Sequence, residues 1–140
     1  FYHDPHAADF VLRHGCNITL VGLDVTNRVI CPRSFFARLA SESPKMGGLL
    51  QDMAEFYIDF YETVGKFAGC GMHDPSALVA CIAPELFTTE PHALRVALSG
   101  DRAGEMIAVA NSTAQAVNVC TDVQAEAVKQ NFFKNVAKLS

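Results

Sequence analysis

The chain has 140 residues, half of them hydrophobic, and carries 11 Lys and Arg against 15 Asp and Glu, a formal charge of −4. That length fits one domain or a piece of a larger one, and it suffices to bury a core. The acidic balance argues against a nucleic-acid surface, which needs a basic excess. No run of about 18 apolar residues could span a bilayer, so no membrane is expected as a partner either. Cys16, Cys31, Cys70, Cys81 and Cys120 are scattered, odd in number and include no Cys-x-x-Cys pair. They read as reduced, mostly buried thiols of a cytoplasmic protein rather than a disulfide framework or a zinc site. There is no signal peptide and no initiator methionine, so Phe1 reads as a processed, trimmed or truncated start.

Asp4-Pro5 opens a helix to about residue 14, with Ala7, Ala8, Val11 and Leu12 on its apolar face and Gly15 as its stop. Residues 17–25 (NITLVGLDV) form a near-continuous apolar run, which predicts a buried parallel strand ending in an Asp24-x-Thr26-Asn27 loop. The end of such a strand is where α/β proteins bind ligands, and turn chemistry accounts for those polar residues equally well. A polar link, Cys31-Pro32-Arg33-Ser34, leads to a short helix at 35–40.

Ser43-Pro44 starts the longest helix. Met46, Leu50, Met53, Tyr57, Phe60 and Val64 recur at three- and four-residue spacing, and Leu49, Phe56 and Tyr61 widen the stripe. Asp52, Glu55, Asp59 and Glu62 read as its solvated face. Tyr57 and Tyr61 lie one turn apart. Either they pack in the core with Phe56 and Phe60, or they form an aromatic wall beside a planar ligand.

The segment Gly69-Cys70-Gly71-Met72-His73-Asp74-Pro75-Ser76-Ala77 stands out. Pro75 belongs at the first helical position, which makes Asp74 the cap and His73 the last loop residue before a helix to residue 82. The glycines allow a ligand close to the backbone and permit loop motion. An imidazole there suits general acid catalysis near neutral pH. Asp74 could cap with one oxygen and bind a hard cation with the other, although one aspartate falls well short of the roughly six to eight oxygens that calcium takes. The plainer reading is a capped helix preceded by an incidental histidine. Cys70 lacks an orienting partner for thiol chemistry.

Residues 94–98 and 106–109 flank Ser-Gly-Asp-Arg-Ala-Gly as an antiparallel pair with a loose turn. A last strand at 116–120 precedes a helix at 123–139, with Thr121 and Gln124 spaced as a capping box and Val123, Val128, Phe132, Val136 and Leu139 as its core face. Strands alternating with helices imply an α/β fold: a layered, mostly parallel mixed sheet with helices on both faces and a small antiparallel hairpin.

Several of these segments, in order and nearly end to end, resemble the C-terminal half of the inosine–uridine-preferring nucleoside hydrolases. Asp4-Pro5-His6-Ala7-Ala8 is similar to that family's D-P-x-A-A helix start. The run from Ile18 through Asp24-Val25-Thr26-Asn27 resembles its strand and D-V-T loop. Met72-His73-Asp74-Pro75-Ser76-Ala77 resembles its H-D-P-x-A segment, and Leu98-Ser99-Gly100-Asp101-Arg102-Ala103-Gly104 its hairpin.

The resemblance implies calcium-dependent (Ca2+) hydrolysis of the N-glycosidic bond of ribonucleosides, within nucleoside salvage. It makes His73 the acid that protonates the departing base, Asp74 a calcium ligand, and Tyr57 and Tyr61 aromatic residues approaching the base. Asn27 stands where many relatives have histidine, so it receives no catalytic role. The family's aspartate-rich motif, D-x-D-x-x-x-D-D, does not occur in these residues. By the resemblance that motif supplies most calcium ligands and the base that activates water. Residues 1–140 are therefore expected to be the C-terminal portion of a single nucleoside hydrolase-like domain, inactive alone and prone to homo-oligomerise. The competing expectation is a non-catalytic fragment or interaction module that pairs through an exposed sheet edge.

Overall fold

The computed structural model describes residues 1–65, 67–109 and 116–139. Its elements run α1 (Pro5–His14), β1 (Thr19–Leu20), α2 (Leu23–Thr26), β2 (Ile30–Cys31), α3 (Arg33–Glu42) and α4 (Pro44–Thr63). There follow β3 (Cys70–Gly71), α5 (His73–Ile82), a 3-10 turn (Pro84–Leu86), β4 (Phe87–Val96), β5 (Met106–Ala108), β6 (Ala116–Val123) and α6 (Ala125–Ala137). The fold is α/β, with a mixed four-stranded sheet and a two-stranded antiparallel ladder. No helix among the described residues is long and apolar enough to cross a membrane. The chain forms two compact units, Phe1–Leu20 with Thr89–Thr121 and Val21–Thr88 with Asp122–Ser140.

In the first unit, α1 starts as the sequence predicts. The Asp4 carboxylate accepts from the Ala7 N–H at 2.9 Å, Pro5 occupies the first turn, and the Gly15 N–H closes the end on the Val11 carbonyl. The sheet order is β1-β6-β4-β5. β1 runs parallel to β6 (Thr19 opposite Asn118), and β4 antiparallel to β5 (Leu94 opposite Ala108, Val96 opposite Met106), which is the expected hairpin. Leu12, Leu94, Val96 and Val117 form the core, with Ala8, Ile18, Leu20 and Val119 against it.

The expected strand at 17–25 is cut to two residues. Gly22 ends the extended run, its carbonyl accepts from the N–H groups of Val25 and Thr26, and Leu23–Thr26 closes one helical turn with Leu23 exposed. An unbroken apolar run carries no periodicity to separate a strand from a helical turn, so Gly22 decided the outcome.

The second unit is built on α3 and α4. Gly47 touches α3 so closely that a Cβ there would meet the Leu39 carbonyl at 2.3 Å. Gly47, Ala54 and Ile58 are the buried positions of α4, facing a core that includes Phe35, Phe36 and Leu39. The broad apolar stripe expected to be buried is therefore not: Leu49, Met53, Phe56, Phe60 and Val64 are each more than half exposed. The acidic face of α4 is engaged rather than simply solvated, because Arg33 of α3 pairs with Glu55, Asp59 and Glu62. Phe35 packs edge-on against Phe133 of α6, ring centroids 5.6 Å apart, and the Arg38 guanidinium lies 4.6 Å from the Phe133 centroid.

The capping box expected at Thr121 and Gln124 does not form. β6 continues to Val123, and the Gln124 side chain donates to the Glu85 carbonyl while its N–H bonds Leu86. On α6, Phe133 takes the buried place expected for Phe132, and Leu139 is exposed. β2 and β3, unforeseen because two residues show no alternation, pair Ile30 with Gly71 and Cys31 with Cys70.

In the first unit, Asp9 is 3 % exposed. Its carboxylate accepts from the Val96 N–H at 3.1 Å and pairs with Arg13 at 2.8 Å, tying α1 to β4. Asp9→Ala strands a buried N–H, which costs about 1–3 kcal/mol. The urea unfolding midpoint of the Asp9→Ala protein is expected to fall accordingly, with Asp9→Asn losing less because its amide oxygen still accepts.

Candidate functional site

Within the second unit, Tyr57, Tyr61, His73 and Asp74 all line one cleft of about 260 Å³. Phe36, Leu50, Met53, Ala54 and Phe132 make the rest of it largely hydrocarbon, and residues 70–75 border it with His73 and Asp74 as their polar members. Asp24 is exposed and does not line this cleft, and Asn27 keeps a buried amide oxygen with no partner among the described residues.

His73 is held at both ring nitrogens. Nδ1 lies 2.7 Å from the Thr26 hydroxyl, and Nε2 lies 3.1 Å from the Tyr61 hydroxyl. Three elements deliver these groups: α2 ends on Thr26, α4 carries Tyr61, and α5 opens on His73. The frame is closed by the backbone, since the Met72 N–H donates to the Val29 carbonyl at 2.9 Å and the Val29 N–H to the Thr26 carbonyl at 3.0 Å. Gly71 leaves the room that the ring needs, because a Cβ there would stand 2.7 Å from Nε2. Phe67 backs Tyr61 with ring centroids 4.4 Å apart. Burial pushes the Tyr61 phenol up from its ordinary pKa, and neighbouring Cys70 and Tyr57 add to the rise. The phenol therefore keeps its proton at neutral pH and can donate it in a hydrogen bond.

α5 begins two residues earlier than the sequence suggested. Met72 is the cap residue, His73 the first helical residue, and Pro75 the third. Pro75 still fits, because the first-turn N–H groups have no intrahelical partner. The Ser76 hydroxyl donates to the Met72 carbonyl. Asp74 consequently does not cap. Its exposed carboxylate lines the cleft and makes no hydrogen bond or ion pair among the described residues, at a helix end whose dipole favours negative charge.

Of the two readings open for the tyrosines, core packing fails for Tyr57, which is half exposed at the cleft. Thr26 is the residue that sequence reasoning did not connect to His73. They lie 47 positions apart, and only the folded chain brings them together.

A calcium ion would need more than these residues offer. Among the described residues no three His, Cys, Asp or Glu side chains gather as a metal requires. The free Asp74 carboxylate fits as one ligand of a hard cation, not as a cage of about six to eight oxygens.

The second unit thus places an imidazole and a carboxylate without a bonded partner among the described residues at one largely apolar cleft. Comparison with known proteins gives the framework its family. The model of the family described as inosine-uridine preferring nucleoside hydrolase matches residues 1–130, and the chain belongs to that family. Uridine nucleosidase 1 of Arabidopsis thaliana is 34% identical over 99 residues, which are 71% of this chain and 30% of that protein. The solved purine-preferring ribonucleoside hydrolase from Gardnerella vaginalis superposes with a TM-score of 0.89 at 32% identity, covering 97% of this chain and 44% of that one. A plant nucleoside hydrolase structure gives 0.90 at 25% identity over 97% of this chain and 46% of its own. The chain thus spans less than half the length of these relatives.

The thiols beside the site are protected rather than activated. Burial pushes Cys31 up to about 12 and also raises Cys70, whereas Cys16 and Cys81 are exposed. The thiolate is the reactive form. Alkylation of the folded protein at neutral pH is expected to label Cys16 and Cys81 well before Cys31. A shift to mildly alkaline pH should leave Cys31 slow to react, since burial keeps its thiol protonated there. Peptide mass mapping against time reads both results.

Proposed function

We propose that this chain is the C-terminal portion of a single nucleoside hydrolase domain, and that the intact protein splits ribonucleosides into ribose and free base. The observation that carries this reading is the His73 imidazole, held by Thr26 and Tyr61 at the edge of an apolar cleft beside the free carboxylate of Asp74. The nucleobase lies in the cleft against Tyr57 and Tyr61. As the glycosidic C–N bond breaks, its electron pair goes to the base nitrogen, and the proton leaving His73 neutralises it. The oxygen of a water completes the sugar at C1′, and its proton goes to a base outside these residues. The apolar lining excludes water and strengthens each charge interaction at the departing base.

When bound, calcium supplies a positive charge that orients the sugar hydroxyls and the attacking water. Asp74 would hold it with one oxygen, and the remaining ligands would have to come from outside residues 1–140, so this chain alone is expected to be inactive. Cysteines kept as thiols, such as Cys16, Cys31, Cys70 and Cys81, suit a reducing, cytoplasmic setting. The uncovered apolar stripe of α4 supports self-association into a homo-oligomer. The alternative, a module pairing through its sheet edges, has less support. The outer strands β1 and β5 are two and three residues long, a short template for another chain.

In the intact protein, His73→Ala is expected to lower kcat for inosine or uridine by roughly a hundred- to ten-thousand-fold with a much smaller change in KM. Wild-type kcat in that variant overturns the acid assignment. Asp74→Ala is expected to weaken calcium affinity in a calorimetric titration, and an unchanged isotherm removes Asp74 from the ligand set.

A further inference from the structure

We infer that Thr26 is the positioning residue of His73: its buried hydroxyl accepts from Nδ1–H, fixes the ring in the Nδ1-protonated tautomer and thereby reserves Nε2 for Tyr61 and the cleft. The functional part of this inference rests on the reading of His73 given above. The tautomer does not.

The two hydroxyls that flank the ring differ in chemistry. A phenol is a stronger acid than an aliphatic alcohol, so it is the better donor, and its oxygen is the poorer acceptor. Placed against one imidazole, Tyr61 therefore donates to Nε2 and Thr26 accepts from Nδ1–H. Both contacts, at 3.1 and 2.7 Å, are hydrogen-bond distances. When the ring takes up a second proton, Tyr61 reverses to accept, while Thr26 accepts in both states. One side of the ring is an anchor and the other does the exchange.

The anchor is built to stay put. Thr26 is 2 % exposed, and its β-branched side chain has few accessible rotamers. Its backbone is locked at both groups: the N–H donates to the Gly22 carbonyl at 3.0 Å, and the carbonyl accepts from Val29. Val29 in turn accepts from Met72, the residue before His73, so the hydroxyl and the imidazole share one short rigid frame. On the Nε2 side the phenol belongs to α4 and is partly exposed at the cleft.

Nitrogen-15 NMR of the intact protein, labelled in histidine and recorded at alkaline pH where the ring is uncharged, tests this. The His73→Ala spectrum identifies the signals. His73 is expected to show a protonated Nδ1 and an unprotonated Nε2. Thr26→Val, which keeps the shape but removes the acceptor, should shift the ring toward the Nε2–H form, and Thr26→Ser should hold the wild-type pattern. In turnover, Thr26→Val should lose roughly tenfold in kcat with KM nearly unchanged, and Thr26→Ser should recover most of it. A wild-type ring protonated at Nε2, or a Thr26→Val spectrum identical to wild type, overturns the assignment. A tautomer that responds as expected, beside a His73→Ala protein of full activity, supports Thr26 as the anchor and overturns only the catalytic reading of His73.

Discussion

An imidazole bonded at both ring nitrogens loses its freedom to turn, and the site in the second unit is organised around that restraint. The hydroxyl of Thr26 and the phenol of Tyr61 reach His73 from opposite sides of its ring, and each comes from a different element. A histidine at the first position of a helix would otherwise swing among its rotamers, because the N-terminal turn offers it no packing. Here the glycine at 71 clears the space, Phe67 backs the phenol, and the Val29 to Met72 backbone bond fixes the distance between the two loops. The ring is presented, not merely present.

The neighbouring carboxylate illustrates how two residues of phase in a helix start change chemistry. Had Asp74 been the cap, its oxygens would have been committed to backbone N–H groups. Because α5 begins at His73, Asp74 sits in the first turn and lines the cleft, its oxygens not committed to the helix cap. The helix dipole tolerates the negative charge there without consuming it. His73 and Asp74, adjacent in the chain, therefore present different groups to the cleft: a ring bonded at both nitrogens and a carboxylate with no bonded partner among the described residues.

Local chemistry made some of this legible from the amino acids alone. The cap at Asp4, the stop at Gly15 and the hairpin at Leu94 to Ala108 are written in side chains within a few positions of one another. The pairing of an imidazole with a carboxylate in the glycine segment was legible for the same reason. Nonlocal facts were not. Nothing near Thr26 signals that its hydroxyl meets a ring 47 residues later. The α4 stripe misled because apolar spacing reports an amphipathic helix without saying which part of its surface meets a neighbour. In this case the contact was carried by the smallest residues, Gly47 and Ala54. Two-residue strands such as β2 and β3 lie below the length at which alternation can be seen.

The glycine that lets α4 lie against α3 has a mechanical consequence for the cleft. Leu39 leaves no clearance at Gly47, so α4 is seated at a single longitudinal setting, like a key on one tooth. Tyr57 and Tyr61 are carried on the same rod, and a slip of one residue along it would travel about 1.5 Å. That displacement is enough to part the phenol from Nε2. The hydrogen bond at His73 therefore serves as a gauge of helix alignment some four turns away from the point of contact.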